Sequence, residues 1–332
     1  MTHLPTTPSS ELHVVLGAMG AAGSALVQAL AQQHLAVRAV SRRPGRPLPA
    51  GVGWQQGDLT QLDSLRAALT GASVVYMAAQ PAYHRWPEEF PALIRNVLAA
   101  LPSPQTRLVM VDNLYAYGPV SEPLHEGLAA QATDRKGRVR AQLAQQLLAA
   151  HQSGQARVAI GRASDFFGPG VQASVANLEF FRKIVAGRSV QWPARLDQPH
   201  SLTFIRDYAR GLVTLGTQER ALGQIWHVPA DVPLTGRGWI ELIAREAGVT
   251  PRAGVLPRAM IQLVGLFSPP AREFGEMFYE FERSYVLDGR RFAQAFGLEP
   301  TPNAEAVRQT LSWLREGDVQ GELLTPLNQR AL

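Results

Sequence analysis

Three glycines in a regular spacing set the tightest limit on what this chain can become. Gly17, Gly20 and Gly23 stand in the run Gly17-Ala18-Met19-Gly20-Ala21-Ala22-Gly23. A short apolar stretch, 12–16, precedes them. After them residues 24–34 carry Ala25, Leu26, Ala29 and Leu30 at helical spacing. The expectation is a strand, a tight turn and a helix. Glycines at such a turn let backbone approach a pyrophosphate that a side chain would block, and the free amides and positive end of the following helix attract phosphate. The pattern gains its meaning from this setting between strand and helix.

The same alternation recurs downstream. Residues 36–40, 73–78, 108–111, 157–161 and 224–228 read as strands, and 62–69, 91–101 and 137–151 as helices. Repeated strand-helix units imply a parallel sheet covered on both faces, so the expected fold class is α/β, a Rossmann-type doubly wound sheet. After Gly168-Pro169-Gly170 the pattern changes to a helix near 175–186 and a Pro-containing stretch, 191–200. Beyond Pro229 it becomes mostly helical, with candidates at 236–247, 257–266 and 304–316. The expected organisation is a dinucleotide-binding domain over 10–170 with returns near 200–229, and a smaller, mostly helical substrate lobe over 171–199 and 230–330.

Composition removes several function classes. The 332 residues are 46% hydrophobic, enough for a large core. No apolar run reaches the roughly 18 residues of a membrane span, and residues 1–10 lack the basic-then-apolar pattern of a signal peptide. A cytoplasmic protein without a membrane partner is expected. There is no cysteine, so disulfides and thiolate chemistry are excluded, and the eight histidines form no His-Glu-x-x-His pattern, so no metal site is expected. The net charge of +5 is spread along the chain. Its one dense basic run, Arg135, Lys136, Arg138 and Arg140, has no interleaved aromatic residues, so nucleic acid is not an expected partner.

Residues beyond the glycine turn bear on the coenzyme. At the end of the second strand, where an NAD site commonly carries an acid, this chain has Ser41-Arg42-Arg43. A guanidinium pairs with a 2′-phosphate that a carboxylate would repel, which favours NADP, with NAD as the alternative. Gly57-Asp58-Leu59 puts Asp58 and Leu59 near the adenine edge. Ala78-Ala79-Gln80 ends the fourth strand with small residues that let a dinucleotide cross the sheet. The expected cofactor set is Gly17, Ala18, Met19, Gly20, Ala21, Gly23, Ser41, Arg42, Arg43, Asp58, Leu59, Ala78, Ala79, Gln80 and Asp165.

Taken in order, the glycine turn, Gly57-Asp58-Leu59, Val111-Asp112-Asn113-Leu114-Tyr115-Ala116-Tyr117-Gly118, the stretch 162–170 ending Gly-Pro-Gly, and 203–208 around Asp207 resemble the extended short-chain dehydrogenase/reductase superfamily, its epimerase/dehydratase branch. The resemblance implies NAD or NADP in the first domain and a small-molecule substrate, a carbonyl or sugar-type compound, between the lobes. It also implies a homodimer, because in relatives the helices corresponding to 91–101 and 137–151 pair across a two-fold axis.

The catalytic positions depart from those relatives. Their Ser or Thr after the fifth strand corresponds to Asn113. Their Tyr-x-x-x-Lys, in which lysine lowers the tyrosine pKa, occurs nowhere in this chain. Lys136 and Arg140 take the tyrosine and lysine positions, and Asp165 falls where many relatives carry asparagine near the nicotinamide. Three readings follow. In an enzyme with a non-standard set, Lys136 and Arg140 bind the nicotinamide ribose and polarise the substrate, Asn113 hydrogen-bonds it, and Tyr115 or Tyr117 donates the proton, its pKa lowered by the cations. The second reading is a non-catalytic NADP(H) sensor. The third is a reductase of activated carbon-carbon double bonds. Trp86, Trp192, Phe166 and Phe167 are candidate pocket aromatics.

Overall fold

The computed structural model describes residues 11–45 and 47–319. Residue 10 and residues 320–330 of the expected spans lie outside them. The first part alternates β1 (Leu12–Leu16), α1 (Ala21–Gln32), β2 (Ala36–Ser41), β3 (Gly53–Gln56), α2 (Leu62–Leu69), β4 (Ala72–Met77), α3 (Trp86–Ala100), β5 (Arg107–Asn113), α4 (Arg135–Gln152) and β6 (Arg157–Ala163). There follow β7 (Asp165–Phe167), α5 (Leu178–Val185), β8 (Val190–Pro193), β9 (Pro199–His200), β10 (Leu202–Phe204), α6 (Ile205–Thr217) and β11 (Gln224–His227). The rest comprises β12 (Leu234–Thr235), α7 (Gly236–Ala247), β13 (Ala253–Leu256), α8 (Arg258–Gly265), α9 (Pro269–Glu276), α10 (Tyr279–Glu282), α11 (Arg290–Phe296) and α12 (Asn303–Val319).

Seven strands form one parallel sheet in the order β11-β6-β5-β4-β1-β2-β3. Period-2 alternation sends neighbours to opposite faces. Val14 and Leu16 join Leu65, Phe90, Ile94 and Leu147 of α2, α3 and α4, whereas Val15 joins Leu26, Leu30 and Leu212 of α1 and α6. Both faces are thus buried, as the apolar strand runs require. A separate core around Phe167, Phe181, Trp192, Trp239 and Ile243 holds the helical C-terminal region together. Leu114, Tyr117, Met277, Tyr279 and Tyr285 join that region to the sheet edge.

The sequence reading differs from these elements in instructive places. It starts a helix at Pro91, but α3 begins at Trp86 with Pro87 in its first turn, where a missing N–H costs nothing, and then runs through Pro91. The helix α6 goes unread, although its packing on α1 closes one face of the sheet. Trp86, Trp192 and Phe167 are fully buried and belong to cores. Phe166 lies against Tyr208.

The glycine turn is where β1, β4 and α1 meet. Gly17 has φ of +79°, and a Cβ on it would stand 2.5 Å from Ala79 N, while a Cβ on Gly23 would overlap the Gly17 carbonyl oxygen. Gly20 differs: its φ is −74°, and a Cβ there would meet only Gly17 O at 3.5 Å. Gly23→Ala is therefore expected to lower unfolding stability by about 1–3 kcal/mol, as overpacking does. Gly20→Ala should cost clearly less, and urea denaturation of the two proteins compares them directly.

Candidate functional site

The carboxyl edge of the sheet gathers most of the residues singled out in the sequence. Around the glycine turn, Gly17 N and Ala18 N donate to Val40 O, and Gly20 N donates to Gly17 O. Gly20 then caps α1 without a side-chain hydrogen bond, and the first turn of α1 holds no acid. Its leading N–H groups and dipole thus have no side-chain anion of their own. Ala78 N donates to Leu16 O, which brings Ala78 and Ala79 against Gly17. The uncapped leading N–H groups of α1, above a turn with no space for a Cβ at Gly17 or Gly23, fit a pyrophosphate. Met19 packs beside Gly45.

The arginine pair is held from below. Trp54 Nε1 donates to Ser41 Oγ at 2.9 Å, Ser41 Oγ donates to Arg43 O at 2.6 Å, and Gln56 Nε2 donates to Arg42 O at 3.3 Å. The backbone of 41–43 is braced while both guanidinium groups are exposed. Asp58 accepts from Thr60 N and Thr60 Oγ1, and these bonds lower its pKa. Arg42 adds to that effect. Leu59 is buried in the core under α3.

At the other end of the edge, Asn113 and Ala163 face each other as the last paired residues of β5 and β6. Asn113 Oδ1 accepts from Tyr115 N at 3.2 Å. One position earlier Asp112 pairs with Arg162, whose Nε donates to Asp112 Oδ2 at 2.8 Å. Arg140 Nη1 stands 3.3 Å from Asp112 Oδ1 as an ion pair, outside hydrogen-bond alignment. Arg140 also donates to Gln80 Oε1 at 3.1 Å, and its guanidinium lies 4.1 Å over Trp86. Burial lowers the Arg140 pKa, with Asp112 opposing. Arg140 therefore links the ends of β4 and β5 beneath the site.

Lys136 occupies a different environment from the one its sequence position suggests. It is buried, and Nζ lies 2.5 Å from Glu273 Oε2 and 2.9 Å from Glu276 Oε2, both on α9. Arg135 binds the same two carboxylates. Burial works to raise the Glu273 pKa, but Lys136 and Arg135 outweigh it and hold it below the usual range. The lysine charge is neutralised by carboxylates and anchors α9 over α4. Lys136 also stands 4.6 Å above the Tyr83 ring.

The phenols correct a second expectation. Burial pushes Tyr115 well above the ordinary phenol value, with Tyr83, Glu280 and Asp165 adding to the shift. Tyr117 is also raised by burial, although Arg162 pulls the other way. The expected lowering by a cationic pair fails because desolvation outweighs the nearby positive charge and the carboxyl groups add to it. Tyr117 Oη pairs with His227 Nε2 at 2.7 Å, and His227 Nδ1 lies 3.1 Å from Leu124 O. Tyr117 thus belongs to the packing between sheet and C-terminal region. Tyr115 and Tyr83 lie beside each other, and each shifts the other's pKa.

Sequence reasoning missed several groups here because they come from distant segments. His200 Nε2 lies 2.9 Å from Asp165 Oδ2 and Nδ1 3.3 Å from Glu280 O, with the ring stacked on Phe281 at 4.7 Å. Glu280 is buried, its Oε1 has no hydrogen-bond partner, and burial pushes its pKa well above the carboxylate range. The only available signal was the pair Glu273 and Glu276, three apart on one helical face.

Two measurements test these charges. Asp112→Asn leaves two buried guanidinium groups without their carboxylate and should cost about 3–5 kcal/mol of stability by chemical denaturation. His13 and His227 are buried, with pKa values lowered chiefly by burial from 6.5 to about 4 and about 3. The unfolded chain takes up protons first, so their contribution is complete above pH 6.5 and is lost as pH falls towards those values. The loss is up to about 1.4 kcal/mol per pH unit for each histidine. Urea midpoints between pH 7 and 4.5 should follow this slope, and it should flatten in His13→Gln plus His227→Gln.

Residues 13–228 match the model of the NAD dependent epimerase/dehydratase family. The UDP-glucose 4-epimerase of Thermus thermophilus, solved with NAD, superposes with a TM-score of 0.72 at 21% identity, over 92% of this chain and 99% of that one. The dTDP-glucose 4,6-dehydratase of Bacillus anthracis, also with NAD, gives 0.76 at 13% identity, over 93% and 98%. The UDP-glucuronic acid 4-epimerase of Bacillus cereus, with UDP-glucuronic acid and NAD, gives 0.72 at 17% identity, over 92% and 99%. No curated protein matches the sequence. With two thirds of its length under the family model and the sheet order and glycine turn that go with it, the chain belongs to the NAD dependent epimerase/dehydratase family.

Proposed function

We propose that the chain is an NADP(H)-dependent enzyme that acts on a small carbonyl or sugar-type substrate with a non-standard catalytic set, NAD being the alternative coenzyme. The observation that carries this reading is the head of α1, whose leading N–H groups have no side-chain anion and sit on a turn packed closely enough that Gly17 and Gly23 have no space for a Cβ, an arrangement that fits a pyrophosphate. Exposed Arg42 and Arg43, on a backbone braced by Trp54, Ser41 and Gln56, favour a 2′-phosphate. Asp58 and Leu59 bound the adenine side, and Ala78, Ala79 and Gln80 the path across the sheet. A bound nicotinamide would supply hydride chemistry.

In this reading Asn113 and Arg140 orient groups at the carboxyl edge, Asn113 by its amide and Arg140 through Gln80. Tyr115 and Tyr83 stay protonated at neutral pH and can donate hydrogen bonds, but burial keeps them from acting as bases. Asp165, fixed by His200, is the group beside them able to exchange a proton with the substrate oxygen. Lys136 and Tyr117 keep structural partners, so their part is to position α9 and the loop after β5. The NADP(H) sensor is the second reading, favoured by the neutralised Lys136 and the raised phenols. The reading includes a homodimer across α3 and α4, whose outer sides meet in a shallow groove lined by Arg95, Leu98, Gln146 and Ala149.

Fluorescence titration tests the coenzyme assignment: NADPH is expected to bind more tightly than NADH, and Arg42→Ala plus Arg43→Ala to remove the preference. Gly20→Asp should abolish binding of both while leaving the unfolding midpoint unchanged or raised, because aspartate is a good N-cap where the backbone has room. Equal affinity for the two coenzymes defeats the NADP assignment, and no binding by the natural chain defeats the dinucleotide reading. A panel of aldehydes, ketones and enones with bound NADPH separates enzyme from sensor. In the enzyme, Asp165→Asn should lower turnover at least about 100-fold at saturating NADPH, within the range of general acid-base catalysis.

A further inference from the structure

The helical hairpin of α8 and α9 presents an apolar face that the fold leaves uncovered. The inner side of α8 is set by Ile261 and Gly265, four apart; a Cβ on Gly265 would lie 3.2 Å from the backbone of Arg272 at the start of α9. Its other side and the turn after it carry Met260, Leu263, Val264, Leu266 and Phe267. Leu263 is 62% exposed, Leu266 73% and Phe267 86%. Gln262 is the one polar residue among them. Six of the nine exposed large hydrophobic residues among the described residues fall between Val255 and Phe267. An apolar cluster of this kind on an otherwise polar surface marks a contact.

The charge of the same segment indicates what the contact is with. From Ala247 to Arg272 the chain holds three charged residues, Arg252, Arg258 and Arg272, and no acid. All three are exposed. The acids that follow on α9, Glu273 and Glu276, are turned inward onto Lys136 and Arg135. Arg258 is bound to Glu282, which leaves Arg252 and Arg272 to flank the patch. An exposed helix face of Leu, Val, Met and Phe with arginine at its borders suits the interface of an anionic bilayer: side chains enter the headgroup region and guanidinium groups stay with the phosphates. No helix among the described residues is long and apolar enough to cross a membrane, and a surface contact needs none.

We propose that the α8–α9 hairpin docks this protein on the surface of membranes rich in anionic phospholipid, with Leu263, Leu266 and Phe267 inserted and Arg252 and Arg272 over the headgroups. The hairpin also carries the two carboxylates that hold Lys136, so the docked segment is tied to the head of α4. The proposal does not depend on the coenzyme or the substrate.

The full chain is mixed with sedimentable vesicles of phosphatidylglycerol and phosphatidylcholine, and in parallel with vesicles of phosphatidylcholine alone. Binding to the anionic vesicles that weakens with salt is expected. Leu266→Glu plus Phe267→Glu should abolish it, and Arg252→Gln plus Arg272→Gln should weaken it about fivefold per arginine. These residues are exposed, so circular dichroism and NADPH titration of both variants should match the natural chain. The proposal is overturned if the chain stays in the supernatant with anionic vesicles at low salt, or if the Leu266→Glu plus Phe267→Glu protein binds as the natural chain does. It is likewise overturned if light scattering shows a dimer that the same substitutions dissociate while vesicles are ignored, which would make the face a contact between copies.

Discussion

A single buried carboxylate between two guanidinium groups organises the working edge of this protein. Asp112 lies on β5, Arg162 opposite it on β6, and Arg140 on α4, so one charge triad ties two strands to a helix at the end of the sheet. Two cations and one anion in a dry interior would be costly alone. The excess positive charge is shared with aromatic faces, Arg140 over Trp86 and Phe90, and Arg162 over Tyr117. Tyr208 of α6 adds a hydroxyl that reaches Gly161 O at 2.6 Å. Asn113, Tyr115 and Gln80 take their positions from this cluster.

The C-terminal region meets that edge through a second set of charges. Glu273 and Glu276 of α9 neutralise Lys136 and Arg135 at the head of α4, and the apolar cluster of Leu114, Met277 and Tyr285 adds a second join between the same regions. The desolvation that this closure brings explains the phenols. Tyr83, Tyr115 and Tyr285 are all pushed up because their anions would have to exist without water and beside carboxyl groups. A site built in this way does not activate a tyrosine. Beside these phenols Asp165 and His200 lie paired at 2.9 Å, on segments 35 residues apart.

How the dinucleotide end and the opposite end differ follows from what each is made of. The glycine turn, Ser41 to Arg43 and Ala78 to Gln80 are contiguous short segments at strand ends, and their geometry is local. The other end is assembled from β5, α4, β7, β9 and α10, separated by up to about half the chain, where each side chain's meaning depends on a partner that sequence distance hides. Lys136 illustrates this: its helical position was legible, but its partners are 137 and 140 residues away. His200 and Glu280 carried no local signal at all.

The sequence by itself determined the parallel α/β architecture, because apolar runs of strand length between amphipathic helices can be buried only by a sheet covered on both faces. It also determined the glycine turn, since the requirement there is steric: a positive φ at Gly17 and the absence of a Cβ at Gly23. It set the residue types at the sheet edge, including the lack of a Tyr-x-x-x-Lys. Only the tertiary structure decided what those residues are able to do. The ion pairs of Lys136 and the raised pKa values of Tyr115 and Glu280 depend on burial and on neighbours from other segments, quantities set by three-dimensional proximity, to which local periodicity and spacing are blind.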